Sequence, residues 1–206
     1  MKRLVSGISA DSSRKIFLVC DLHGHSQLTN ITFYGCAPDS DLKRRKASKL
    51  YAAGVSAKLA ALDAVLPSMA TDCSDRYKIF AYLLTQRAPK MFSYEQCLWH
   101  FTKQKEGTAR VVFWREFNVQ NTFTMESSYC GSNLDRNMQG FHFNTTHFLE
   151  MGAKFCAALY DLCSESFEAK NKVVTAIKYL KENQVQSTDA NGGNHRRLRS
   201  KKKKRI

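Results

Sequence analysis

Long apolar runs are absent from the 206-residue sequence. No stretch approaches the roughly 18 to 20 consecutive apolar residues that a membrane span requires, so no membrane association is expected. The opening segment, MKRLVSGISADSSRK, begins with two basic residues near its start but lacks the apolar run of a secretory leader. Proline (3) and glycine (10) are both scarce, which excludes collagen-like and low-complexity linker classes. No Cys-x-x-Cys pair occurs among Cys20, Cys36, Cys73, Cys97, Cys130, Cys156 and Cys163. An odd set without that spacing argues against a disulfide framework and against a cysteine zinc ribbon. A reducing, soluble compartment is the expectation, and the cytoplasm fits it.

What is present is ordinary globular composition, 43% hydrophobic and 24% charged, in a length that suits one sizeable core. The formal charge of +14 suggests a nucleic-acid binder until it is located along the chain. Arg196, Arg197, Arg199, Lys201, Lys202, Lys203, Lys204 and Arg205 all lie within the last eleven positions, and removing those eight leaves +6. The asymmetry is therefore mostly a tail, read over 186–206 as a solvated, disordered basic arm. Such an arm permits nuclear targeting, contact with nucleic acid or contact with an acidic protein surface. No aromatic and basic interleaving or recognised nucleic-acid module accompanies it.

Short runs rich in aromatic and β-branched residues predict strands at 15–20 (KIFLVC), 30–34 (NITFY), 109–114 (ARVVFW) and 121–125 (NTFTM). Helical spacing of apolar residues predicts helices over 46–66, ended by Pro67, and over 76–86, ended before Pro89. Two more are predicted over 146–163, with Phe148, Met151, Phe155, Leu159 and Leu162 on one stripe, and over 168–183. Strands mixed with helices predict an α/β fold, a mixed β-sheet flanked by helices on both faces.

Two segments carry candidate chemistry. Cys20-Asp21-Leu22-His23-Gly24-His25-Ser26 follows the first strand run and places a histidine beside glycine, where a ligand approaches closely. An imidazole there is suited to binding a metal or to tying down a loop by hydrogen bonds. Thr122-Phe123-Thr124-Met125-Glu126 places a carboxylate at the end of an apolar strand, where partial desolvation suits general base work, the alternative on this segment alone being an exposed strand-end glutamate.

In order, CDLHGHS, NITFYGC, FSYEQC, KEGTARVVFWRE, NTFTMESSYCGS and THFLEMGAKFCAALYDL resemble successive motifs of the cytosolic carboxypeptidases, across roughly 15–165. These are zinc enzymes that remove C-terminal residues, notably glutamates, from tubulin and other proteins. The resemblance implies an α/β/α sandwich fold, here the C-terminal half of the catalytic domain, ending near 165 and followed by a C-terminal helix over 166–185. It implies that His23 is a zinc ligand and that Glu126 activates the zinc-bound water, with protein or peptide C-termini as partners. Arg110 and Arg115 match basic positions of the family and are substrate-binding candidates, although for Arg115 a structural salt bridge is an equal alternative. His25 and Ser26 are expected to hold the loop or His23 and not to bind metal.

The chain departs from the family in three places. The family's other two zinc ligands come from an upstream His-x-x-Glu motif, and no histidine precedes His23. The expectation is a partial catalytic domain, incomplete or inactive as this isolated chain. His147-Phe148-Leu149-Glu150 has that formal spacing but lies downstream, and is read as the first turn of a surface helix. Gln27-Leu28-Thr29 stands where the family typically has basic residues, which weakens the expectation of glutamate specificity. Residues 37–75, with Lys43-Arg44-Arg45-Lys46, read as an insertion without assigned chemistry.

Overall fold

The computed structural model describes residues 2–10, 16–37, 75–135 and 140–190. The predicted helix at 46–66, nearly all of the 37–75 insertion and the basic run from Arg196 lie outside them. Along the chain run helix α1 (Lys2–Ala10), strands β1 (Leu18–His25) and β2 (Ile31–Tyr34), a 3-10 turn (Arg76–Lys78) leading into α2 (Ile79–Arg87), a second 3-10 turn (Lys103–Lys105) and α3 (Ala109–Glu116). Then come β3 (Asn121–Ser128), the short strands β4 (Gly131–Ser132) and β5 (Phe141–His142), α4 (Thr145–Cys163) and α5 (Phe167–Ala190).

The main sheet has the order β1-β3-β2, with β1 parallel and β2 antiparallel to the central β3. It is mixed, as expected, and its two faces differ in kind. Alternation along each strand puts Leu18 and Cys20, Phe123 and Met125, and Ile31 and Phe33 on one side. That side carries the core. Phe33 sits at its centre, with ring centroids 4.8 Å from Phe92, 4.8 Å from Phe123 and 5.6 Å from Phe80, and α2, α4 and α5 close over it through Phe80, Phe155, Ala158 and Ile177. Burying side chains of this size stabilises by about 1.5–3 kcal/mol each, so this face holds the domain together.

The three helices are also tied by a buried carboxylate. Asp161 on α4, 3% exposed, accepts from Arg87 Nε and Nη2 on α2, both at 2.7 Å, and from Lys172 Nζ on α5 at 3.1 Å. The start of α4 is fixed by a reciprocal capping box: Asn144 Oδ1 accepts from the His147 N–H, and the Asn144 N–H donates to His147 Nδ1, both at 3.1 Å. Gly131, at φ 151, lies so close to β5 that a Cβ there would overlap the Phe141 carbonyl oxygen. A side chain at this position would break the β4–β5 pairing.

Two sequence expectations are corrected. ARVVFW forms helix α3, not a strand. The 3-10 turn at 103–105 delivers an extended Thr108 as the first cap, and Val111 and Trp114, three apart, then bury together against Cys36 and Phe101. Packing at helical spacing overrides the β preference of the residues, which is a weak force by comparison. The sheet is consequently built from three of the four predicted runs, with α3 lying across β1 and β3 on the face opposite the core. Helix α5 also runs to Ala190, into the stretch assigned to the tail. The first glycines, Gly192 and Gly193, come only after it, and the intervening Gln, Ser, Thr and Asp each weaken a helix by tenths of a kcal/mol.

Candidate active site

The non-core face of the sheet is polar, and the strand register arranges it in rows. Asp21 of β1, Thr124 of β3 and Tyr34 of β2 form one row; His23, Glu126 and Thr32 form the next; His25 and Ser128 continue it beside Asn30. Both candidate residues lie inside strands, because β1 continues through His25 and β3 through Ser128. Partners in a parallel register point to the same side, so the His23 imidazole and the half-buried Glu126 carboxylate are direct neighbours on one face although 103 positions separate them in sequence.

The surrounding contacts orient these groups. His23 Nε2 lies 2.8 Å from Asp21 Oδ2, two positions away on the same face of β1. That carboxylate engages Nε2 and so holds the ring's orientation. Arg110 of α3, 6% exposed, covers the first row: its Nη1 reaches Thr124 Oγ1 at 3.4 Å, its guanidinium lies 5.5 Å from the Tyr34 ring centroid, and its Nε is buried without a partner. His25 Nδ1 accepts from the Leu28 N–H at 3.3 Å, which ties the loop leaving β1. A Cβ on Gly24 would meet the tip of the Tyr129 ring, an exposed side chain that would have to swing aside.

That loop ends at Asn30, 1% exposed and at φ 75, whose side chain acts as a buried junction. Its Oδ1 accepts from Ser132 Oγ at 2.8 Å and the Asn133 N–H at 2.9 Å, while its Nδ2 donates to Asn133 Oδ1 at 2.8 Å. The segment after β3 is thereby fastened to the segment before β2, at the end of the sheet next to the row that holds Glu126.

No family model matches the chain. Cytosolic carboxypeptidase 3 of Mus musculus is 35% identical over 169 residues, which are 82% of this chain and 14% of the mouse protein. Cytosolic carboxypeptidase 3 of Bos taurus is 37% identical over the same span and shares, and cytosolic carboxypeptidase 2 of Danio rerio is 32% identical over 153 residues, 74% of this chain and 17% of the fish protein. The chain is a homologue of a segment of the cytosolic carboxypeptidases. It spans about one seventh of the length of the mouse and bovine relatives.

For a cytosolic carboxypeptidase homologue the metal is the first question, and the donors can be tested against it. A catalytic zinc takes three protein ligands and keeps one position open. His23 offers one nitrogen with its ring already oriented by Asp21, a pairing typical of metal-bound histidines. Yet among the described residues no group of three His, Cys, Asp or Glu side chains is placed to hold an ion. By themselves these residues do not fit a zinc site. His147 and Glu150 do not fill the gap: His147 is spent on the capping box and packs 4.9 Å from the Phe141 ring, and Glu150 lies 4.0 Å from Lys154.

The two arginine candidates separate. Arg110 covers the row of Thr124 and Tyr34, next to that of Glu126, whereas Arg115 Nη2 lies 3.4 Å from Glu106 Oε1 and its guanidinium 5.8 Å from the Phe101 ring. The salt-bridge alternative thus describes Arg115. Cysteine chemistry finds no support here: burial pushes the Cys20 thiol up to about 12 and the Cys97 thiol up to about 11, which holds both as neutral thiols. No described helix is long and apolar enough to cross a membrane. Sequence reasoning missed Asp21 and Asn30. The signal for Asp21 was available, since extending the strand through the HGH segment places positions 21, 23 and 25 on one face by simple alternation.

Proposed function

We propose that this chain carries part of the catalytic domain of a zinc metallocarboxypeptidase, with His23 as one metal ligand and Glu126 as the general base. The observation that supports the reading most is the register pair itself: residues from two family-like motifs, far apart in sequence, stand side by side on the polar face. In this reading Glu126 takes the proton of the attacking water and returns it to the leaving amine, and Asp21 keeps the His23 ring in place. Arg110, with an unpartnered buried donor on the same face, is the substrate-binding candidate. The substrates are C-terminal residues of proteins, with glutamate and tubulin as candidates, in the cytoplasm. Gln27-Leu28-Thr29 weighs against a strict glutamate preference.

A second reading is a catalytically inactive remnant that binds acidic protein surfaces through the basic run at 196–205; the incomplete donor set of the described residues favours it. A chimera separates the two. Residues 15–165 replace the homologous segment of an active cytosolic carboxypeptidase, and release of glutamate from peptides ending in Glu-Glu is measured together with bound zinc. The enzyme reading expects activity that is lost in Glu126→Gln with zinc retained, and zinc lost in His23→Ala. An inactive, folded chimera supports the remnant; an active Glu126→Gln chimera overturns the role of Glu126.

A further inference from the structure

The aromatic side chains on the helical side of the molecule form a feature that carboxypeptidase chemistry does not use. A concavity of about 210 Å³ opens there, on the core side of the sheet and not on the face of His23 and Glu126, lined by Tyr82 of α2, Tyr94 and Glu95 of the following loop, Tyr179 of α5 and Phe92. Tyr82 and Tyr179 lie with centroids 4.6 Å apart and planes 35° apart. Tyr94 stands nearly perpendicular to both, at 6.4 Å and 82° from Tyr82 and 6.2 Å and 81° from Tyr179. Rings at right angles make a corner in which a ring face and ring edges meet, and all three side chains are half-buried at the wall of the cavity.

The electrostatics have one sign. Glu95 is an exposed carboxylate on the lining, and its charge, after burial, is among the causes that hold the Tyr94 and Tyr179 phenols above their ordinary range. The other acid near Tyr94, Asp75, is neutralised by Lys78 Nζ at 2.8 Å. An aromatic corner with an exposed carboxylate on its lining, on a chain of net charge +14, is a local trap for a cation. A purely apolar ligand would gain nothing from Glu95, and an anion would be repelled by it.

We infer that the Tyr82–Tyr94–Tyr179 cavity binds an organic ammonium group, of the kind carried by a lysine, a methylated lysine or choline. The ring faces supply cation–π attraction and Glu95 supplies the counter-charge. Methylation spreads the charge over apolar surface and suits the half-apolar wall. The site is independent of the zinc chemistry and needs no residue of the polar face.

Choline and its uncharged isostere 3,3-dimethyl-1-butanol test this on the full chain carrying ¹³C-labelled tyrosine. Saturable shifts are expected at the Tyr82, Tyr94 and Tyr179 rings with choline, with the isostere about tenfold weaker. The exposed Tyr129 and Tyr160 rings, 69% and 65% accessible, serve as internal controls and should not move. Glu95→Gln, on an exposed residue that leaves the fold intact, should weaken choline severalfold without affecting the isostere, and Tyr179→Leu should abolish saturation. The inference is overturned by equal responses to choline and the isostere, by shifts confined to the control tyrosines or absent, or by unchanged choline binding in Glu95→Gln.

Discussion

At the scale of single residues the molecule depends on a few polar side chains that do what backbone pairing alone does not. Asn30 is the clearest. It occupies a left-handed backbone position that asparagine tolerates better than most residues, and its buried amide holds both sides of the junction below the polar face. Asn30→Ala removes both the hydrogen bonds and the residue's tolerance for that conformation, leaving the Asn133 N–H and Oδ1 without the Asn30 amide, while Ser132 Oγ keeps the Lys90 carbonyl and the Leu134 N–H. The expected loss is about 2–4 kcal/mol in chemical denaturation. Asn30→Gly, which restores the backbone freedom but not the hydrogen bonds, should recover only part of it. If the alanine variant were as stable as the parent, the junction would be ornamental.

Between elements, the weight falls on the packing of α2, α4 and α5 and on the edge of the sheet. Asp161 joins all three helices from a buried position, so Asp161→Ala strands Arg87 and leaves Lys172 with Glu168 alone, at 2.7 Å. Both bases keep about a third of their side-chain surface in water, 35% each, which softens the penalty to about 2 kcal/mol, below the cost of breaking a fully buried pair. A urea midpoint unchanged by the substitution would refute the assignment. At the other end of the fold, β1 pairs only with β3 among the described residues and presents Leu22 at 66% exposure. An open edge with an apolar side chain is a template for self-association. Sedimentation analysis should show concentration-dependent association of the chain, reduced by Leu22→Lys.

The whole molecule is decided by what its two faces hold. One face is a closed aromatic core; the other gathers Asp21, His23, Glu126 and Arg110 but assembles no three-donor set among the described residues. Zinc affinity comes from several ligands held together, and one imidazole holds an ion too weakly to survive dialysis. The purified 206-residue chain is therefore expected to retain far less than one zinc per molecule and to release no glutamate from peptides ending in Glu-Glu at a detectable rate. Stoichiometric zinc, with activity lost in Glu126→Gln, would require ligands beyond those described.

The sequence by itself determined the helices over 76–86, 146–163 and 168–183: the second has an apolar stripe at helical spacing, and the first is an apolar run cut off before Pro89 and buried nearly all round. Three of its four predicted strand runs are strands, and the ordered motifs singled out His23 and Glu126. Only the tertiary structure decided that ARVVFW is a helix, since a short apolar run suits either period and the neighbours that choose between them, Cys36 and Phe101, lie elsewhere in the chain. Register was likewise beyond the sequence. A slip of one residue between β1 and β3 would have sent Glu126 to the core face, and what forbids it is the burial of Phe123 and Met125 against helices that local sequence does not specify. The burial of Arg110 between α3 and the sheet and the tyrosine corner have the same origin: each is a meeting of segments whose distance is set by packing and not by position along the chain.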